Sequence, residues 1–78
     1  ENSFSIYPNP ANESLTMQFT VPVNSVKILN DMGAVVYSNA KVGQNGILKV
    51  NVSSFEPGIY FVQVTTDKGI ATKKVTVN

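Results

Sequence analysis

Short runs in which apolar and polar residues alternate recur along the chain, each bounded by Gly, Pro, Asn, Asp or Ser. Turn chemistry roughly every ten residues is the pattern of an all-β sandwich or barrel. Seven strands are expected: Phe4–Tyr7, Ser14–Phe19, Ser25–Leu29, Ala34–Ser38, Ile47–Val52, Ile59–Thr65 and Ile70–Val77. In the second, Leu15, Met17 and Phe19 share one face while Thr16, Gln18 and Thr20 share the other, as a strand between core and water requires. No stretch carries a persuasive 3.6-residue period, so no α-helix longer than a single turn is expected.

The punctuation between these runs is equally specific. Pro8-Asn9-Pro10 bars ladder hydrogen bonds at two positions, so the first strand must stop and the chain must turn. Asn45-Gly46 is a hairpin-type dipeptide because both residues tolerate positive φ. Pro57-Gly58 suits the central positions of a type II turn. One recurrence spans 36 residues: Val26 to Gly33 aligns with Val62 to Gly69, and both segments end in Asp-x-Gly. Each is expected to form a hairpin in which the Asp side chain, Asp31 or Asp67, closes the turn. Gly33 or Gly69 would then take the left-handed conformation of a bulged loop. A stacked repeat protein needs about three units or more, so two copies imply one turn solution used twice in a single sandwich.

Composition reinforces the β assignment and removes most chemistry. Twelve valines, five isoleucines and six threonines far outnumber three leucines and four alanines, a balance that favours strands. At 78 residues, with 42% apolar content, the chain fits one small folded domain of modest stability, 1–78. It contains no His, Cys, Trp or Arg, which excludes disulfides, imidazole chemistry and the usual zinc, haem and thiol sites. No metal or cofactor is expected. A net charge of +1 with 14% charged residues lacks the basic footprint of a nucleic-acid binder or a polybasic membrane anchor. No bilayer-spanning run and no signal-peptide pattern is present. Together with Glu1 as the first residue, that reads as a piece excised from a longer precursor.

Three segments together resemble a known family. They are Ile6-Tyr7-Pro8-Asn9-Pro10-Ala11, then Val26-Lys27-Ile28 running into Asp31-Met32-Gly33, and finally Pro57-Gly58-Ile59-Tyr60-Phe61-Val62 leading to Gly69 and Lys73-Lys74-Val75. In this order they are similar to the C-terminal sorting domain, type A, of type IX secretion cargo, over essentially the whole chain. Phe55-Glu56 stands where a Leu-x pair often precedes Pro-Gly in that family, and the chain ends on Asn78 rather than a basic residue. Neither departure disturbs the apolar alternation. The resemblance implies an immunoglobulin-like antiparallel β-sandwich of about seven strands at the end of a larger secreted protein of a Gram-negative bacterium. It implies a passenger that passes through the periplasm and is carried over the outer membrane to the cell surface or medium when the translocon recognises this domain. A surface sortase then usually removes the domain. The implied partners are the outer-membrane type IX translocon, the sortase components and the covalently linked passenger.

The residues singled out for recognition each also have a plain structural role. Pro8, Asn9 and Pro10 form a rigid shape that costs little entropy to bind, or simply end a sheet edge. In the last strand Ala71, Lys73, Val75 and Val77 share a face, so Lys73 sits among apolar residues. Its stem must run along the core with the ammonium at the rim, or it guards an edge. The functional alternative is that Lys73 and Lys74, with Val75, offer charge to an acidic groove of the secretion machinery. Tyr60, just after Pro57-Gly58, resembles the tyrosine corner of sandwiches, with its hydroxyl bonded to nearby backbone. Gly33, Pro57, Gly58, Tyr60 and Gly69 are therefore structural.

Catalysis is not expected, because no nucleophile, base and orienting group can be assembled without His, Cys or Arg, and the spacing of Glu1, Glu13, Asp31, Glu56 and Asp67 brings no two together. The sequons at Asn12 and Asn51 are expected by chance among nine Asn. Two other classes compete with the sorting reading. A fibronectin-III-like or carbohydrate-binding module of an extracellular enzyme usually presents Trp or stacked Tyr, whereas Tyr7, Tyr37 and Tyr60 all read as wholly or partly core-facing. The other is an adhesin spacer. Unpaired strand edges also admit an edge-strand homodimer.

Overall fold

The computed structural model describes residues 4–8, 10–40 and 46–78. Seven strands alternate with turns and no helix occurs among these residues: β1 (Phe4–Tyr7), β2 (Ser14–Phe19), β3 (Ser25–Asn30), β4 (Val35–Asn39), β5 (Ile47–Asn51), β6 (Gly58–Thr66) and β7 (Gly69–Val77). Two antiparallel sheets, β1-β2-β5 and β4-β3-β6-β7, form the sandwich expected from the alternation and agree with an immunoglobulin-like fold. Each strand lies within a residue or so of its expected position, since a period of two marks the buried face wherever one side of a sheet meets water.

The core lies between the sheets. Leu15, Met17 and Phe19 from β2 meet Val26 and Ile28 from β3, Tyr60, Val62 and Val64 from β6, and Val75 and Val77 from β7, all buried. Thr16 is an exception to the alternation: it is buried although it points away from this core. It pairs with Tyr7 on one side and Lys49 on the other, long side chains that flank a threonine in a central strand.

The turns depart from expectation in instructive ways. In the β3–β4 hairpin Gly33 does take positive φ, at 85°. The side chain that closes the loop is Asn30, however, whose Oδ1 accepts from the N–H groups of Met32 and Ala34, both at 2.9 Å. Asp31 lies one residue too late to reach back across the turn. The β6–β7 hairpin is tighter, because Thr66 pairs directly with Gly69. There Thr66 Oγ1 accepts from Lys68 N–H at 3.1 Å, while Asp67 Oδ1 accepts instead from Asn24 Nδ2 in the β2–β3 connection, at 3.1 Å. The recurrent Asp-x-Gly thus yields two different loops. In each, the residue before the Asp supplies the side-chain oxygen.

Gly46 has the positive φ expected of it, 82°, but the hairpin does not form. It leads into β5, which belongs to the other sheet from β4, so the connection crosses over; Asn45 lies outside the described residues. Pro57-Gly58 is likewise not a type II turn. Gly58 has φ 153°, far from the roughly +80° which that turn needs, and it opens β6. The turn falls earlier, where Phe55 N–H donates to Val52 O at 3.0 Å.

Candidate functional site

The surfaces available for recognition are set by how the chain's first and last strands meet. β1 and β7 are edges of opposite sheets. After β1 the chain passes through a cis Tyr7–Pro8 bond and leaves the three-stranded sheet. Ala11 then lies parallel to Val77 at the edge of the four-stranded sheet. Ala11 N–H donates to Thr76 O and Asn78 N–H donates to Ala11 O, both at 2.8 Å. Ala11 is fully buried, and only a small side chain fits so close an approach. Pro8 and Pro10 are exposed on the segment that makes this switch, so they remain accessible to a partner. Asn9, grouped with them, lies outside the described residues.

The Lys73-Lys74-Val75 cluster separates into three roles. Lys73 Nζ donates to the Phe4 carbonyl at 2.8 Å and sits 4.9 Å from the centroid of the Phe4 ring. Its stem runs among the apolar positions of β7 while its ammonium satisfies the first carbonyl of β1 and faces an aromatic π-cloud. Lys73 therefore joins the two sheets at their neighbouring edges. Lys74 is exposed on the opposite face, beside Phe61 in the register. Val75 is only 1% exposed; as a core residue it has no surface for a partner to read while the domain is folded. Replacing Lys73 by Met keeps the apolar stem but removes the bond, and is expected to lower stability by about 1 kcal/mol, the low end for a charge-assisted bond at a half-exposed site. Chemical denaturation of Lys73→Met beside Lys74→Met, which should be near neutral, checks this.

Tyr60 is buried and its hydroxyl donates to the Glu56 carbonyl, four residues upstream, at 2.6 Å. Its ring lies 5.3 Å from that of Phe55. This bond pins the β5–β6 connection against the core. Tyr60→Phe is expected to cost about 1 kcal/mol, and an unchanged urea midpoint would show that the bond contributes nothing. Tyr7, by contrast, is 45% exposed, which corrects the expectation that it, like Tyr37 and Tyr60, is wholly or partly core-facing. Phe4 and Ile6 take the inward positions of β1, so Tyr7 shares the outward parity of Ser5. Its hydroxyl lies 3.5 Å from Gln18 Oε1.

At the end of the sandwich where β1 begins there is a cavity of about 240 Å³. Phe4, Phe19, Val23, Val64 and Ile70 line it, with Asp67 and Lys68 at the rim. It offers apolar surface, and none of the described residues assigned to recognition lines it.

A profile of the secretion system C-terminal sorting domain family matches residues 5–78. The chain belongs to that family. This is the family indicated by the Pro8 to Ala11, Asp31 to Gly33 and Pro57 to Val62 segments. Membership gives the chain a sorting role in a secretion system.

Solved structures agree on the fold. The sorting domain superposes with a TM-score of 0.81 on part of PorZ, an essential bacterial surface component of the type-IX secretion system of Porphyromonas gingivalis, at 23% identity. That match covers 99% of this chain and 12% of PorZ, so the chain spans a small fraction of that protein. CopC from Methylosinus trichosporium OB3b matches at a TM-score of 0.54 and 21% identity, over 96% of this chain and 93% of CopC. The sulfur carrier protein SoxY from Chlorobium limicola f thiosulfatophilum matches at 0.57 and 15%, over 100% of this chain and 81% of SoxY. No curated protein sequence matches.

Proposed function

We propose that this sorting domain is the C-terminal address of a larger secreted precursor, read by the type IX translocon while the passenger waits in the periplasm, and then removed at the surface by a sortase. The observation that carries this reading is the family match over residues 5–78, on a sandwich with the same fold as a domain of PorZ. The domain itself is non-catalytic. A chain without His, Cys or Arg supports that, as does a buried core made of apolar side chains. Of the residues singled out for recognition, Pro8, Pro10 and Lys74 are exposed and free to be read, while Lys73 is committed to the Phe4 carbonyl.

A reporter carrying a signal peptide, expressed in a bacterium with type IX machinery, tests the address. It should reach the surface or medium when residues 1–78 follow it and stay in the periplasm without them. Equal export of both forms rejects the reading. Mass measurement of the exported reporter then reports on the sortase: loss of the domain's 8.4 kDa is expected, and an exported protein that retains it rejects removal.

A further inference from the structure

We propose that the outer face of the four-stranded sheet is the surface by which the domain docks on the export machinery, and that the machinery meets it with apolar side chains flanked by carboxylates. The proposal rests on the sorting reading above and names the partner-facing surface within it. The cross-strand register sets Val35, Leu29 and Phe61 side by side over β4, β3 and β6, with Lys74 next to them on β7. Two residues back along β6, Ile59 extends the row on the same face, and Lys27 lies on that face beside Gln63. Val35 is 52% exposed and Ile59 43%, while Leu29 and Phe61 are half-buried.

The outward positions of a water-facing antiparallel sheet are ordinarily polar. The other sheet keeps closer to this: its outward positions are Ser5 paired with Gln18, Thr16 with Lys49 and Ser14 with Asn51, and its two apolar ones, Tyr7 on β1 and Ile47 on β5, lie on opposite edge strands and in different rows rather than side by side. On the four-stranded sheet the outward row through the middle is aliphatic and aromatic, which is the composition of the centre of a protein interface. The charges that the strands themselves carry on this face have one sign. Among the described residues every carboxylate, from Glu13, Asp31, Glu56 and Asp67, lies in a turn or loop. Lys27 and Lys74 are thus the only charged side chains that strands place on this face. An apolar row bordered by cations selects a partner whose apolar patch is bordered by anions, through complementary potentials at the rim and desolvation at the centre.

The test uses the reporter fusion in a bacterium with type IX machinery. One variant breaks the row, Val35→Lys with Ile59→Lys; a second reverses the charge, Lys27→Glu with Lys74→Glu; a control adds charge on the other sheet, Ile47→Lys. Each face variant is expected to reduce the exported reporter about tenfold, as loss of one strong interface anchor does, while the control is exported like the unaltered fusion. A photoreactive residue at position 59 should cross-link a protein of the machinery, and one at position 47 should not, which keeps the proposal testable where a variant folds poorly. Export of the unaltered fusion and of both face variants alike overturns this proposal alone. Failure of the unaltered fusion to be exported overturns the sorting reading and this proposal with it. Binding of the purified fusion to phosphatidylglycerol vesicles, lost on charge reversal, with no cross-link from position 59, assigns the face to anionic lipid and overturns the protein partner.

Discussion

Shortening Leu15 to alanine is expected to lower the unfolding free energy by about 2 to 5 kcal/mol. Leu15 is 1% exposed and belongs to β2, the central strand of its sheet, where it pairs with Val50. The loss has two parts: the transfer energy of the missing carbons and the dispersion contacts forfeited around the void they leave. Neighbouring strands hold the site open from both sides, so little of the void collapses. Domains have about 0.05 to 0.15 kcal/mol of stability per residue, which for a chain of this length is roughly 4 to 12 kcal/mol in total. The substitution therefore consumes a large share of what is available. Urea unfolding should show a much lower midpoint with an unchanged slope, whereas Ile47→Ala, on an exposed position of β5, should shift it little. A loss under about 1 kcal/mol at Leu15 would mean that the sheets close on the gap, contrary to the packing described.

Ending the chain after Val75 is expected to be comparably damaging, by a different route. It removes the buried Val77, worth about 1.5 to 3 kcal/mol. It also takes away both partners of Ala11: the Thr76 carbonyl that accepts its N–H and the Asn78 N–H that its own carbonyl accepts. Ala11 is fully buried, and an orphaned buried N–H costs about 1 to 3 kcal/mol. The combined loss of about 2.5 to 6 kcal/mol should appear as a low thermal midpoint and ready proteolysis. Val77→Thr keeps both backbone bonds and should fall between the truncation and the unaltered chain. This bears on any export experiment. A terminal deletion destabilises the sandwich as well as removing a signal, so lost export would not locate the residues that are read. Lys74→Gln, on an exposed position, separates the two.

The parts of this structure that follow from local alternation are legible in the sequence, and the parts that depend on distant partners are not. Leu15, Met17 and Phe19 announce a buried face because their spacing needs no knowledge of what lies opposite. Tyr7 is legible in the same way, since its parity with Ser5 across Phe4 and Ile6 directs it outward against the inward preference of an aromatic ring. Lys73 shows the limit. Its place on an apolar face is visible in the alternation, and so is the need for its ammonium to find a rim. Its acceptor, the Phe4 carbonyl, lies 69 residues away and appears only when the two sheets are assembled. Asn30 and Asp31 are equally apt turn formers by type, and the register of β3 against β4 decides which one closes the loop. Gly46 and Gly58 mark backbone that other residues avoid, yet a positive φ alone does not say whether the chain returns to the same sheet or crosses to the other.

The Lys73 bond to Phe4 also fixes where a protease can cut without harming the domain. Phe4 is the first residue of β1, and its carbonyl is held by a side chain from β7. Scission on the amino side of Phe4 leaves all seven strands, and that tether, in one fragment. Scission between Tyr7 and Ala11 would detach β1 instead, uncovering Met17 and Phe19 and releasing Lys73 from its acceptor. The severed tail can therefore stay folded and resist further digestion only when hydrolysis happens upstream of this clasp.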